Sequence, residues 1–348
     1  MNKIAIISLD NIYATPYIHG YLKNLKKCIV DVIYWNKNNV NEDSLDVNHM
    51  IEFKSKNKNK IYNYVKYTIF LNKLLKIKKY DKLILLHGPL NIMINRRLKD
   101  YKDRYIIDIR DYTYEKYFFY NHIQNKNIKN SYETVISSRG YESFLPKKNY
   151  VLMHNIFYGY KNKDKGKFIK DNGKNKSNFI ITQVGTIRFY DEIHRLLNSF
   201  KDDDRFWFQY IGKGAEKINK NYNQNISTEG FFKPEKTLNK YSEADAINNI
   251  YGNKTLSVKY ALSNKLYIAA LLKIPIIVSS ETYMEEVIRK YKLGFVLDIE
   301  NKESKDALNM YLENYDRNEL INSCDEFLKD VNKDIDKFNQ ILFKFGNE

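Results

Sequence analysis

Cysteine is nearly absent: Cys28 and Cys324 are the only two in 348 residues, and their separation suits neither a disulfide framework nor a zinc site. A reducing cytoplasm is the expected compartment. No run of about 18 apolar residues is present, so the sequence offers no candidate membrane-spanning helix. The opening MNKIAIISLD enters a strand pattern directly, without an apolar core and small-residue cleavage site, and no export signal is read there. Acidic residues are outnumbered, 42 against 58 lysines and arginines, for a formal charge of +16. Such an excess attracts anionic lipid, phosphorylated ligands or nucleic acid. No nucleic-acid recognition motif accompanies it, which sets nucleic acid aside. The bland alternative is a solvated lysine-rich face in a chain where Lys, Asn, Ile and Tyr are all abundant.

What is present reads as an α/β protein long enough for two domains. Strands are expected at Lys3 to Ser8 and Cys28 to Trp35, with a helix from Tyr17 to Lys26 between them. The loop from Asp10 to Pro16 has no glycine and offers no phosphate cradle. A helix over 61–78 repeats apolar residues at Tyr64, Tyr67, Thr68, Leu71, Leu74 and Leu75. It packs on a sheet with its lysines snorkelling, or lies on a membrane surface. The strand from Asp81 ends at His87. Ligands of doubly wound sheets sit beyond the carboxyl ends of the strands, which makes His87 the best placed of the six histidines, although an ordinary hydrogen-bonded loop histidine fits as well. Another strand, Tyr105 to Ile109, leads into Arg110 and Asp111. Asp108 and Arg110 read equally as a structural ion pair, while Asp111 has the better claim to touch substrate. The stretch 161–177, KNKDKGKFIKDNGKNKS, reads as an exposed linker.

The second half begins with strand Phe179 to Val184, then Gly185 and Arg188. Glycine at a strand end lets a ligand approach the backbone, and a basic residue three positions later can neutralise a diphosphate. Gly212-Lys213-Gly214 lacks the third glycine of a dinucleotide fingerprint. Asp202-Asp203-Asp204 precedes a strand instead of following one, so it reads as a solvated turn and not as a metal triplet. Phe231, after Gly230, offers a ring that could stack on a base or pack in the core. Leu262 to Val296 reads helix, strand, helix, strand. The first of these helices presents its N-terminal N–H groups beside Lys265, an arrangement suited to phosphate. Three helices, about 304–315, 317–330 and 334–345, are expected to finish the chain.

Asn264, Lys265, Leu266, Tyr267 and Pro275 match the segment P-N-K-L-[FY]-E-Y-x-A-x-G-K-P, and Asp108, Arg110, Asp111 and Glu115 match a D-x-R-D-x-x-x-E run. In this order and spacing the chain resembles the two-Rossmann (GT-B) bacterial glycosyltransferases of the capsular and surface-polysaccharide type, the glycosyltransferase family 4-like group. It departs from them at Ile268, where the family has a ribose-binding glutamate. The resemblance implies two doubly wound Rossmann-like domains facing a cleft: 1–160 for the acceptor, a linker over 161–178, 179–333 for the nucleotide sugar, and 334–348 crossing back to the first domain. It implies diphosphate binding by Gly185, Arg188, Asn264 and Lys265, and nucleotide or sugar contacts by Gly212, Phe231, Tyr267, Ser280 and Thr282. Asp111 or His87 would be the base if the reaction inverts and would orient sugars if it retains; the familial pattern favours retention. The implied partners are a nucleotide-diphosphate sugar and a saccharide or polyprenyl-phosphate-linked acceptor. The implied place is the cytoplasm, at the inner face of an anionic membrane. No metal or other cofactor is expected, since the cations named would do a metal's work. A sugar-nucleotide epimerase of the same fold and a non-catalytic binding or scaffold protein are the rival expectations.

Overall fold

Apolar β-branched runs form two wholly parallel sheets in the computed structural model, which describes residues 1–55, 59–156 and 178–348. Residues Met1–His154 and Asn332–Glu348 make one unit, and Asn155–Val331 the other. Most of the stretch expected as a linker, 161–178, lies outside the described residues.

The strands of the first unit are β1 (Lys3–Ser8), β2 (Ile29–Trp35), β3 (His49–Phe53), β4 (Lys82–Leu86), β5 (Tyr105–Ile109), β6 (Glu133–Ile136) and β7 (Val151–Leu152). Its helices are α1 (Ile18–Leu22), α2 (Lys60–Lys78), α3 (Pro89–Met93), α4 (Asn95–Leu98) and α5 (Phe118–Lys129). The sheet order is β3-β2-β1-β4-β5-β6-β7. Central strands such as IAII and LILL are buried along their length, as strands covered by helices on both faces must be. The order reverses between β1 and β4, and the carboxyl ends of those two strands form the crevice where such sheets take ligands.

The second unit repeats the plan with β8 (Phe179–Val184), β9 (Phe206–Ile211), β10 (Ile226–Glu229), β11 (Ala246–Asn249), β12 (Ile276–Ser279) and β13 (Gly294–Leu297), in the order β10-β9-β8-β11-β12-β13. Its helices are α6 (Tyr190–Ser199), α7 (Leu256–Tyr260), α8 (Asn264–Leu272), α9 (Tyr283–Tyr291) and α10 (Ser304–Asn314). Here the order reverses between β8 and β11. The helix, strand, helix, strand reading of Leu262 to Val296 is realised as α8, β12, α9 and β13. α8 buries every residue from Lys265 to Ala270.

The chain ends in two helices where the sequence suggested three. α11 (Arg317–Asn347) runs unbroken through residues 331–333 because no glycine or proline interrupts it. Its buried residues Leu320, Cys324, Phe327 and Val331 are followed by Phe338, Leu342 and Phe345. The last three join the core of the first unit beside Tyr21, Leu25 and Cys28. Lys82 Nζ donates to the Phe345 carbonyl at 2.5 Å, and Asn2 Nδ2 to that of Gly346 at 2.9 Å. Elsewhere the helix expected over Tyr17 to Lys26 contracts to α1. β3, α3, α4, α5 and α7 are elements without a counterpart in the sequence reading.

Candidate functional site

In the second unit the carboxyl ends of β8 and β9 are bare backbone. Gly185 and Gly212 both have positive φ, +118° and +136°. A Cβ on Gly212 would stand 1.9 Å from the Gly185 carbonyl oxygen, whereas one on Gly185 would meet nothing within 4 Å. Gly212 is therefore glycine because two strand ends touch. Gly185 is glycine for its conformation, and it faces open space.

Arg188 follows on the β8–α6 connection, exposed, with its guanidinium 5.7 Å from the centre of the Phe189 ring. That ring packs at 5.1 Å on Tyr251, just past β11. The Tyr251 hydroxyl accepts a 2.5 Å hydrogen bond from Lys265 Nζ, which is otherwise buried. Two cations distant in sequence are thus linked through an aromatic pair at the point where the strand order reverses. An ammonium carries three donors, so Lys265 keeps two beyond its bond to Tyr251. Phe189 and Tyr251 were missed by sequence reasoning, because nothing local pairs them.

The first turn of α8 is already capped. Ser263 Oγ accepts from Lys265 N at 3.2 Å, and the Ser263 carbonyl accepts from Leu266 N at 3.1 Å. Asn264 stands exposed at its first position. Ser279, at the end of β12, accepts from the Tyr251 and Gly252 N–H groups at 3.2 and 2.9 Å, which ties the β11 loop to β12. Ser280 follows, half-buried, its carbonyl accepting from Asn253 at 3.4 Å. Phe231 is 75% exposed.

Two expected donor contacts have structural employment instead. Tyr267 has no exposed surface and packs on Phe327 at 5.8 Å, because α8 is buried on all sides. Thr282 caps α9: its hydroxyl accepts from Glu285 N at 3.2 Å and donates to the Ser279 carbonyl at 2.9 Å. Ile268 is likewise a core side chain.

In the first unit, His87 sits at the end of β4, across the switch point from Leu9. Leu9 N donates to its Nδ1 at 3.2 Å, so the neutral ring carries its proton on Nε2, 3.2 Å from the Tyr17 hydroxyl. Burial presses the imidazolium down to a pKa of about 3. With both nitrogens engaged and the charged form disfavoured, His87 has the contacts of a hydrogen-bonded loop histidine, one of the two readings the sequence left open. The Arg110 guanidinium lies 3.5 Å from the centre of the Tyr17 ring, and its Nε and Nη2 donate to Asp108 Oδ2 at 3.1 and 3.0 Å. Tyr21 donates to the same oxygen at 2.8 Å. Burial raises the Asp108 carboxyl while Arg110 and Tyr21 pull it down. Asp108 and Arg110 are thus the structural pair of the two readings. Asp111, beyond the end of β5, is exposed. β4 and β5 are neighbours, with Leu86 beside Asp108, so His87 and Asp111 share one edge of the sheet. Among the described residues no group of three or more His, Cys, Asp or Glu side chains is arranged to hold a metal ion.

No family model matches the sequence, and no curated protein matches it. Solved structures do. A sucrose-phosphate synthase from Thermosynechococcus elongatus aligns with 99% of this chain and 98% of its own at 12% identity and a TM-score of 0.69. Anabaena HepE, in complex with UDP and glucose, aligns over 98% of both chains at 11% identity and a TM-score of 0.62. WaaG, a glycosyltransferase involved in lipopolysaccharide biosynthesis, aligns over 97% of this chain and 99% of its own at 12% identity and a TM-score of 0.65. With its two parallel sheets of reversing strand order, the chain has the fold of the GT-B glycosyltransferases.

Proposed function

We propose that the protein is a glycosyltransferase that moves a sugar from a nucleoside diphosphate sugar to a saccharide or polyprenyl-phosphate-linked acceptor in surface-polysaccharide assembly. The observation that carries this reading is the linkage of Arg188 to Lys265 through Phe189 and Tyr251, beside the open backbone of Gly185. A diphosphate resting on Gly185 meets a guanidinium suited to bidentate contact and an ammonium with two donors left. Both stabilise the negative charge that grows on the departing diphosphate, the largest kind of contribution such a site makes. The reaction needs no metal in this reading, because those two side chains carry the neutralising charge. Uridine diphosphate is the first nucleotide to try, in view of the UDP bound by HepE. Asp111 is the group we assign to the acceptor or transferred sugar, and a retaining course, in which Asp111 and His87 orient sugars, is the one this reading takes. Phe231, Ser280 and Asn264 complete the proposed donor contacts; Tyr267 and Thr282 serve packing.

The test is product analysis with UDP-glucose, UDP-galactose, UDP-N-acetylglucosamine and GDP-mannose, with and without saccharide acceptors. Nucleotide release that requires an acceptor supports transfer. Interconversion of the donor sugar with no acceptor present would make the protein an epimerase. Binding without any turnover would favour the scaffold reading, to which the buried Ile268 lends its weight.

A further inference from the structure

An open sheet has two edges whose backbone must be paired, covered or blunted. In the second unit one edge, β10, carries Glu229, which Lys240 Nζ meets at 2.5 Å. The other edge, β13, reads GFVL, with neither a charge nor a proline. Its register with β12 pairs Val278 with Val296, and Ile276 N donates to the Leu293 carbonyl at 3.1 Å. Bonded groups alternate along such a strand, so Leu293, Phe295 and Leu297 turn toward β12. The N–H and carbonyl of half-buried Val296 turn outward, where no hydrogen bond reaches either among the described residues. A backbone donor and acceptor in that position call for a partner.

They open into a slot. A cavity of about 790 Å³ runs along Gly294, Phe295 and Val296. Phe295 packs on Tyr311 with the rings 5.6 Å apart, and Tyr315 stacks on Tyr311 at 5.5 Å, so one wall is aromatic and belongs to the face that α10 covers. α9 supplies the opposite wall with Ile288 and Arg289, and none of its buried residues joins the core that α10 enters. Both helices run back against the strands and line the slot with their last turns. The slot therefore lies at the amino edge of the sheet, opposite the carboxyl edge that carries Gly185.

We propose that this slot takes an extended acidic segment of a partner protein, which adds to β13 as a further strand. Backbone hydrogen bonds hold such a segment, and its side chains alternate between the two walls. Apolar residues would meet the Phe295, Tyr311 and Tyr315 rings, and acidic residues would meet Arg289. The charges on the rim support that sign. Asp316 is engaged in capping α11, accepting from Asn318 N and Glu319 N at 2.7 and 3.0 Å, and Glu319 accepts from Lys292 at 2.5 Å. Arg289 bonds Glu285 through Nε alone, at 2.8 Å, which leaves the outer nitrogens of its fork for a carboxylate. A second copy of the chain fits poorly. Two β13 strands paired about a two-fold axis would set α9 against α9, bringing the exposed Arg289, Lys290 and Lys292 against their own copies. The helices walling the slot would also meet before the strands did. The inference goes beyond the proposed reaction and does not depend on it.

The probe is a fluorescein-labelled synthetic peptide of alternating glutamate and valine, its binding to the full chain read by fluorescence anisotropy without nucleotide or sugar. Saturable micromolar binding is expected, weakened at least tenfold when lysine replaces glutamate. N-methylation of one alternate set of peptide amides should abolish binding and methylation of the other set should not, because a strand bonds its neighbour through every second residue. Val296→Pro removes the outward N–H, which an edge strand tolerates on its open side. It should weaken binding at least tenfold with the melting temperature unchanged, and so should Arg289→Gln, whose side chain is exposed. If Val296→Pro fails to fold, the methylated peptides decide the question alone. Absence of saturable binding, equal binding by the two methylated peptides, or a wild-type response from Arg289→Gln overturns the proposal. So does a dimer in sedimentation equilibrium that Val296→Pro dissociates, which would assign the edge to a second copy. Nucleotide binding beside Gly185 is not read by this assay, so the two claims fail separately.

Discussion

Gly185 and Gly212 occupy neighbouring strand ends with similar backbone angles, yet alanine at each should have opposite consequences. Gly212→Ala combines a strained positive φ, about 1–3 kcal/mol, with a methyl carbon 1.9 Å from the Gly185 carbonyl oxygen. That oxygen belongs to the backbone and cannot swing aside, so β8 and β9 must part at their carboxyl ends, a further cost of about 1–3 kcal/mol typical of overpacking. Gly185→Ala has the strain alone, because its Cβ meets no atom within 4 Å. The chain has two tryptophans, one in each unit, so in a Trp35→Phe background the fluorescence of Trp207 reports the second unit by itself. Urea unfolding followed this way should show Gly212→Ala to be the more damaging by roughly 1–3 kcal/mol. Gly185→Ala should stay folded and yet bind nucleoside diphosphate at least tenfold more weakly, since its methyl enters the space assigned to the phosphates. Equal destabilisation by the two would refute the geometric argument. Unimpaired nucleotide binding by folded Gly185→Ala would refute the placing of the diphosphate.

Other consequences follow from particular contacts. His87 is neutral in the fold, with a pKa near 3, against about 6.5 when unfolded. Between those values the unfolded chain takes up the proton, so the first unit loses about 1.4 kcal/mol for each pH unit of acidification below 6.5. His87→Asn, which keeps an acceptor for Leu9 N, should flatten that slope in urea titrations read from Trp35, and an unchanged slope would contradict the burial argument. Asp334 is partly buried, which opposes its charge, but His154 at 3.1 Å and Arg139 at 3.7 Å hold its carboxyl below the usual range. Asp334→Asn should weaken the first unit by about 1–2 kcal/mol at pH 7, a difference that disappears as the pH falls below about 4. Phe345→Ala should cost about 3–5 kcal/mol and expose Cys28, whose thiol burial now pushes up, to thiol reagents; an unreactive Cys28 would show that α11 does not seal that core.

The sheets were legible because their strands are short apolar runs bounded by polar turns, and parallel strands buried on both faces are read by composition alone. That Gly185 ends a strand, that Arg188 follows it and that Lys265 stands in the first turn of a helix was legible from local residue type and spacing. α5 was hidden because its inward face carries amides: Gln124 and Asn127 are buried and bonded to Glu115 and Asn91, so no apolar period appears. The unbroken α11 was hidden by Asp334, a polar residue on an otherwise apolar face whose partner, His154, is far away in sequence. The Phe189–Tyr251 contact and the capping role of Thr282 are facts of tertiary placement. His87 shows a related limit: its position at a strand end was readable, whereas the N–H that occupies its ring nitrogen was not.

The most direct test of the central claim is calorimetric titration of the purified chain with UDP, GDP, CDP, ADP and dTDP, repeated with Arg188→Ala. Arg188 is exposed and makes no hydrogen bond or ion pair among the described residues, so its removal should leave the fold intact. One nucleotide should bind, and the loss of a charge-assisted phosphate contact of about 1.5–3 kcal/mol should weaken it by roughly 10- to 100-fold. If no nucleoside diphosphate binds, or if Arg188→Ala binds as tightly as the wild type, the donor site is not where Gly185, Arg188 and Lys265 place it.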